Sequence, residues 1–529
     1  MSENGWQRPG TRARLARMTG DGLAFYRAYA ARDPRFDGVF FVGVTSTGIY
    51  CRPVCTARTP KAANCRFFDS AAAAEKAAFR PCLRCRPELA PGHAPVDDAR
   101  RIAHLVARRI EEGMLDAPAA RAGRPSSGEA SAGLERIAAR FGWSSRQIRR
   151  MVHRELGVSP MELVLTRRLL LAKQLLTETT LPITEVAFAS GFASLRRFND
   201  AFGGRYGMPP SRFRKAVDGA AGPAAAPATL ALQLAYRPPF DWTGMLAFLG
   251  ARALRGVERV EGEAYARTVR LGDHAGWIRV RHQPERRGLL VELPHALTPV
   301  LPALLGRLRH LFDLGARPDV VAGQLGQHPT LADAVARNPG LRVPGAFDGF
   351  ELAVRAVLGQ QVSVAAATTL AGRFVAAFGE PLETPHPGLD RLAPTPERVA
   401  AASVDEVAAL GIVQARARTI VRLAEEMAAG RLRLEPGADP EAVMAQLVAL
   451  PGIGAWTAHY VAMRALRWPD AFPKEDVAVR KALGGVTAAR AEALSAAWRP
   501  WRSYAVLHLW EGTARPSGPG GPGGSPTPA

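Results

Sequence analysis

The chain has 529 residues, of which 47% are apolar and 22% charged, enough for packed cores in about three or four domains at roughly 150 residues each. Lysine and arginine exceed aspartate and glutamate by 69 to 48, a net charge of +21, so the expected partner is a polyanion: nucleic acid first, an anionic membrane surface second. No run approaches the length of an apolar membrane span and no apolar stretch of a signal peptide opens the chain. A cytoplasmic, nucleoid-associated bacterial protein is therefore expected, and disulfides are not.

Residues 1–20 are expected to be a flexible amino terminus, followed by a small zinc-bound α/β domain over 21–90. All five cysteines lie in it. Cys51 and Cys55 are spaced C-x3-C, Cys82 and Cys85 form the C-x2-C of "PCLRC", and Cys65 falls between the pairs. Two such pairs suit one tetrahedral Zn2+ held by the thiolates of Cys51, Cys55, Cys82 and Cys85. Cys65 is left over, and a small buried hydrophobe is its expected role. Spacing alone leaves the purpose of the site open between a structural ribbon and a reactive thiol. A zinc nucleobase deaminase shares the P-C-x-x-C half but needs an upstream His-x-Glu, and the first histidine in the chain is His93.

The wording around the cysteines adds to this. "FFVGVTSTGIYCRPVC" followed by "FRPCLRCRPE" resembles the amino-terminal domain of the Ada-type DNA repair proteins. The resemblance implies that Cys51 accepts a methyl group from a methyl phosphotriester in the DNA backbone, that its three companions complete the zinc site, and that Thr47 and Arg58 touch the backbone. A thiolate is the nucleophilic form such chemistry needs. Four thiolates on a dication carry two formal negative charges, and methylating one sulfur removes one of them. Repulsion of DNA phosphates then weakens, so methylation is expected to act as a switch for DNA affinity.

The next domain is expected over 97–217, with an insert at 114–133. Residues 134–217 carry 15 Lys/Arg against 6 Asp/Glu, so this sixth of the chain is the expected phosphate-binding surface. Ile102, Leu105, Val106 and Ile110 recur with the period of an amphipathic helix. "LERIAARFGWSSRQIRRMVHREL" reads as a helix, a turn containing Gly142 and a second helix. "ITEVAFASGFASLRRFNDAFGGRYG" repeats that plan with Gly191 in the turn, giving two helix-turn-helix units. In the first, Ile148, Met151 and Val152 face inward and leave Arg146, Arg149, Arg150 and His153 outside. The second leaves Arg196, Arg197 and Asn199 outward around Phe198 and Phe202. Residues 97–216 are similar to the AraC-family DNA-binding domain, which implies that one helix of each unit enters the major groove.

A linker is expected at 218–228. Alternating "YARTVRL", "GWIRVRHQ" and "GLLVELP" predict antiparallel strands in a mixed α/β domain over 229–345. From 346 to 512 the pattern is helical, and 513–529 reads as a disordered tail. "LVALPGIGAWTAHYVAMRAL" forms a helix-hairpin-helix, where Gly452 and Gly454 let backbone amides approach a phosphate. Asp476, twenty residues beyond Trp456, reads by itself as a helix amino-terminal cap.

"AVLGQQVSVAAATTLAGRF", "LPGIGAWTAHYVAMRAL", "AFPKEDVAVRKAL" and "WRPWRSYAVLHLWEG" together resemble the helix-hairpin-helix glycosylases, most closely the alkylpurine branch represented by bacterial 3-methyladenine DNA glycosylase II. The resemblance implies that Asp476 is the catalytic carboxylate, that Trp456, Tyr460 and Trp510 form the base pocket, and that Gln361 stands where relatives place a duplex wedge. Aromatic faces suit a cationic alkylpurine, a cation–π contact worth about 2 kcal/mol when desolvated. A nearby carboxylate stabilises oxocarbenium character and orients water, once the base has been flipped out. Where bifunctional relatives carry a lysine nucleophile this chain has Trp456, so a monofunctional enzyme that leaves an abasic site is expected. The lack of cysteine beyond Cys85 removes both an iron–sulfur cluster and a second methyl-acceptor domain.

The expected fold is therefore multidomain, mainly α with α+β parts. The expected function is an alkylation-damage response protein: methyl acceptor, transcriptional activator on double-stranded DNA with RNA polymerase as a further partner, and glycosylase. Two alternatives stay open, a regulator whose glycosylase half is inactive and a glycosylase whose front half only targets damage.

Overall fold

A computed structural model describes residues 22–32, 36–37, 40–68, 71–87, 98–111, 133–135, 138, 143–217, 229–436 and 438–514. The expected amino-terminal extension 1–20, most of the insert (114–132), Gly142, the linker 218–228 and residues 515–529 lie outside them. Contacts group into two compact units, one of residues 1–108 with 135–162, the other of 109–134 with 163–529.

In the first unit, helix α1 (Gly22–Ala30) precedes a four-stranded sheet ordered β3-β1-β2-β4, built from β1 (Phe41–Val44), β2 (Ile49–Cys51), β3 (Cys65–Phe68) and β4 (Arg80–Pro81), with helix α2 (Ala71–Lys76) between the last two. β1 pairs antiparallel with β2 and β3, while β2 and β4 run parallel with Tyr50 opposite Pro81. Gly43 is required in β1: a Cβ there would lie 2.7 Å from Phe68 and 2.9 Å from Phe79. Phe25, Phe40 and Phe67 pack beside the cysteines, with Phe25 and Phe40 ring centroids 4.7 Å apart.

Helix α3 (Asp98–Glu111) buries Ile102, Val106 and Ile110 and half-buries Leu105, the stripe its period predicts. Helix α4 (Ser145–Leu156) begins with a capping box, in which Ser144 and Gln147 satisfy each other's backbone, and ends at Gly157 in the left-handed region. It buries Ile148, Met151 and Val152 and exposes Arg146, Arg149, Arg150 and His153.

Helices α5 (Pro160–Glu178), α6 (Ile183–Ala189), α7 (Leu195–Tyr206) and α8 (Pro210–Val217) follow. Gly191 turns between α6 and α7 at φ +89°, and Ser194 caps α7. Phe192, Phe198, Phe202, Tyr206 and Phe213 form a continuous aromatic core behind α7. Arg196, Arg197 and Asn199 are exposed.

The three expected antiparallel strands, β7 (Ala264–Leu271), β8 (His274–Gln283) and β9 (Gly288–Pro294), are joined by two that were not expected, β5 (Thr229–Ala235) and β6 (Glu258–Glu261), in a five-stranded sheet ordered β5-β9-β8-β7-β6, with helix α9 (Trp242–Gly250) between β5 and β6. Edge strand β5 alternates, burying Leu230, Leu232 and Leu234, and its free backbone is partly capped by α5: Gln174 Nε2 donates to Gln233 O at 2.7 Å and Glu178 accepts from Gln233 N at 3.0 Å. Both faces of β7 are covered, and its buried Arg267 pairs with Glu351 at 2.8 Å and Glu258 at 3.7 Å.

The rest is helical: α10 (Leu301–Leu311), α11 (Pro318–Leu325), α12 (Pro329–Arg337), α13 (Gly349–Leu358), α14 (Val364–Phe378), α15 (Pro396–Ala400), α16 (Val404–Ala408), α17 (Gln414–Ala428), α18 (Pro440–Val448), α19 (Ala455–Arg464), α20 (Val477–Ala482), α21 (Ala488–Ser495) and α22 (Arg502–Ala514). Residues 513–514, expected in the tail, continue α22. No helix among the described residues is long and apolar enough to cross a membrane.

Candidate functional sites

The parallel pairing of β2 with β4 explains how distant cysteines meet. Cys51 follows Tyr50 and Cys82 follows Pro81, so the opposed pair Tyr50 and Pro81 delivers both to the same end of the sheet, where Cys82 N donates to Tyr50 O at 3.0 Å. Tight turns after each strand return Cys55 and Cys85 to the same point. The four sulfurs lie within 4.8 Å of one another and all four residues are buried. Contact with Cys55 and Cys85, then burial, pushes the Cys51 thiol up; a dication is what would let four sulfurs stay ionised together. The donor set fits zinc, and the protein carries one Zn2+ on these cysteines.

Arg52 braces the site. Its side chain is 1% exposed, pairs with Asp37 (Nε to Oδ1 2.8 Å) and donates to Cys85 O at 3.3 Å, while its backbone N–H donates to Cys85 Sγ at 3.4 Å. Thr47 is exposed in the β1–β2 turn and Arg58 is exposed after Cys55. Cys65 departs from expectation. As the first residue of a sheet-edge strand it is only half-buried, and its thiol donates to Lys61 O at 3.5 Å.

The second site sits where α19, α20 and α22 converge. Asp476 is the cap of α20, accepting from Val479 N at 2.8 Å through Oδ1, so the cap expectation holds. It is also more than a cap. Trp456 Nε1 donates to Oδ2 at 2.7 Å and Trp510 Nε1 to Oδ1 at 3.1 Å, and the residue is 8% exposed. Trp456 and Tyr460, one helical turn apart, stack with centroids 5.3 Å apart and planes 9° apart, and Trp510 lies 6.4 Å from Tyr460. Asp476, Trp456, Tyr460 and Trp510 are thus one cluster.

Arg464, unremarked in the sequence although it stands at i+4 from Tyr460, donates to the phenol oxygen at 2.7 Å. Burial alone would raise the Tyr460 phenol, but Arg464, Arg252 and Arg355 outweigh it and hold it below the usual tyrosine range. Val477, beside Asp476, is 76% exposed.

The hairpin between α18 and α19 separates its two glycines. Gly452 has φ +89° and a Cβ there would lie 2.1 Å from Thr419 Oγ1, so only glycine fits. Gly454 has extended backbone and open space around it. Gln361 is exposed, with φ +53°.

Four family models match in order: the metal binding domain of Ada over residues 24–88, a helix-turn-helix domain over 137–216, the AlkA N-terminal domain over 231–348, and the HhH-GPD superfamily of base excision DNA repair proteins over 354–501. The chain is 39% identical, over 92% of its own length and 95% of the relative's, to a probable bifunctional transcriptional activator/DNA repair enzyme AlkA of Mycobacterium tuberculosis (strain CDC 1551 / Oshkosh). It is 39% identical to DNA-3-methyladenine glycosylase 2 of Escherichia coli (strain K12), over 52% of this chain and 95% of that one. It is 48% identical to the bifunctional transcriptional activator/DNA repair enzyme Ada of the same strain, over 12% of this chain and 18% of that one. With an Ada-type zinc domain and a helix-turn-helix domain joined to an AlkA-type glycosylase, the chain belongs to the family of bifunctional transcriptional activator/DNA repair enzymes.

Proposed function

We propose that the chain senses and repairs DNA alkylation by two chemistries at two separate sites. Residues 21–90 form the methyl acceptor, 97–217 the operator-binding part, and 229–345 with 346–512 the glycosylase.

Zinc, when bound, keeps its four sulfurs ionised at neutral pH. Cys51 is the acceptor: its Sγ attacks the methyl carbon of a phosphotriester, an S–C bond forms, the C–O bond breaks, and the electron pair leaves on the phosphate oxygen. Thr47 and Arg58 hold the backbone. The thioether carries less negative charge than the thiolate, which favours DNA binding through Arg146, Arg149, Arg150, Arg196, Arg197 and Asn199. Promoter binding with RNA polymerase as partner, in the cytoplasm, follows from this reading.

In the glycosylase, the cage of two indole N–H groups around Asp476 carries the assignment, because both donors fix a carboxylate beside an aromatic cluster. Trp456 and Tyr460 already touch, so a flipped cationic purine stacks on the outside of that pair rather than between its rings. Asp476 stabilises positive charge on the sugar and orients the attacking water; the N-glycosidic bond breaks and an abasic site remains. Gly452 and Gly454 bring backbone amides to a phosphate and Gln361 fills the vacated stack.

The test is one incubation of the protein with methylated duplex DNA, measuring released base and the mass of the Cys51 peptide together. Base release and a single added methyl on Cys51 are expected. Absence of either removes that half of the assignment. Induction of repair transcripts in a Cys51→Ala strain equal to the parent would remove the regulatory switch.

A further inference from the structure

Gln360 precedes Gln361 and is held from three directions. Its side-chain Nε2 donates to Gly452 O at 2.9 Å and to Thr457 Oγ1 at 3.1 Å, across 92 and 97 residues of chain, and Arg416 donates to its backbone carbonyl. Gly452 lies in the hairpin that opens α19 and Thr457 in the first turn of that helix; Arg416 comes from α17. The same helix braces the hairpin directly, since Thr419 Oγ1 donates to Pro451 O at 2.8 Å and occupies the space a Cβ on Gly452 would need.

The loop of residues 359–363 and the hairpin of 451–454 are therefore pinned together and to α17. The consequence shows at the next residue. Gln361 sits in the left-handed region at φ +53°, a conformation that a residue with a Cβ keeps only when its surroundings enforce it. Its side chain is exposed, as are the five residues after it and Pro451, Gly452 and Gly454 of the hairpin.

We propose that Gln360 is a positioning residue for duplex opening: its amide locks the loop bearing Gln361 onto the hairpin, so that insertion of Gln361 and anchoring of the neighbouring phosphate occur as one event. This rests on the reading above, in which Gln361 fills the vacated stack and the hairpin holds the backbone. Gln360 itself touches neither base nor Asp476; it acts by fixing where Gln361 stands relative to the gripped strand.

The test uses the full chain and two duplexes, one with an alkylated purine opposite its normal partner and one with the same base opposite an abasic analogue, so that it is already unpaired. Gln360→Ala removes two hydrogen bonds and is expected to lower single-turnover excision from the paired duplex about tenfold, while excision from the unpaired duplex changes less than about threefold. Gln360→Glu, which keeps the size but cannot donate to Gly452 O, is expected to match Gln360→Ala. An equal loss on both duplexes, or no loss on the paired one, overturns the proposal. Thr457→Ser, which retains the hydroxyl, guards against a folding artefact and should retain the paired-to-unpaired ratio of the parent. Asp476→Asn, measured alongside, should lose excision from both duplexes; if it does not, the catalytic assignment falls while the Gln360 ratio still stands or fails by itself.

Discussion

Replacing Asp476 with asparagine preserves the shape of the side chain and removes its charge and one acceptor. The carboxylate accepts on both oxygens, from Trp456 on Oδ2 at 2.7 Å and from Val479 and Trp510 on Oδ1 at 2.8 and 3.1 Å. Asparagine satisfies only one side. With its oxygen toward Val479 it still caps α20, because asparagine and aspartate are comparable caps, but its NH2 then faces the Trp456 N–H. That donor–donor contact in a buried site costs about 1–3 kcal/mol, a fall in unfolding temperature of roughly 5 °C for a domain of this size. The chemical loss is larger. A positioned acid–base group supplies about 10²–10⁴-fold and a preorganised charge about 10²–10³-fold. Single-turnover excision in Asp476→Asn is therefore expected to fall about 10³-fold, with Cys51 methylation unchanged. A folded variant that excises within about tenfold of the parent refutes the role assigned to Asp476.

Cys51→Ala should abolish methyl uptake while Cys65→Ala leaves both uptake and zinc content as in the parent, measured by peptide mass and metal analysis. Gly452→Ala combines a positive φ with a Cβ driven into Thr419 and should destabilise the glycosylase by about 1–3 kcal/mol in denaturant unfolding. Gly454→Ala meets no such obstacle, so its stability should be unchanged; a raised KM with kcat retained is expected if its amide lies against a phosphate. Burial, with Arg337 adding to it, lowers His508 to about 4, against an ordinary value of 6.5. The unfolded chain thus binds the extra proton first as pH falls, so this contribution to stability is complete above about pH 6.5 and is lost down to about pH 4. That loss amounts to about 3 kcal/mol, and His508→Leu should flatten it.

The elements were legible wherever a single period governed a run. Leu289, Val291 and Leu293 alternate in "GLLVELP" and lie buried in β9, and Ile148, Met151 and Val152 mark one stripe of α4. The four zinc ligands were readable from spacing, since cysteines three or four positions apart return to one point through a tight turn. Cys65 was misjudged because residue type says little about a strand at a sheet edge. Asp476 and its aromatic neighbours came from motif resemblance, and their hydrogen bonds did not: the indole donors reach across 20 and 34 residues. Gln360 was invisible for the same reason. Nothing near "GQQVS" in sequence tells which glutamine is exposed and which is held from Gly452 and Thr457.

The assignment of Cys51 as acceptor requires that four sulfurs on one metal differ, and the backbone around them supplies a difference. A backbone N–H donated to a ligating sulfur draws electron density from it and lowers its reactivity. Cys85 accepts such a bond from Arg52 at 3.4 Å. Cys51 ends the strand that leaves the turn carrying Thr47, the residue proposed to meet the DNA backbone, whereas Cys82 follows β4 on the far side of that pair. Arg52 also links reactivity to stability. Its guanidinium is fixed by Asp37 and by Cys85 O, and that anchoring aims its N–H at Cys85. The residue directly after the proposed nucleophile therefore quiets a companion sulfur, Cys85.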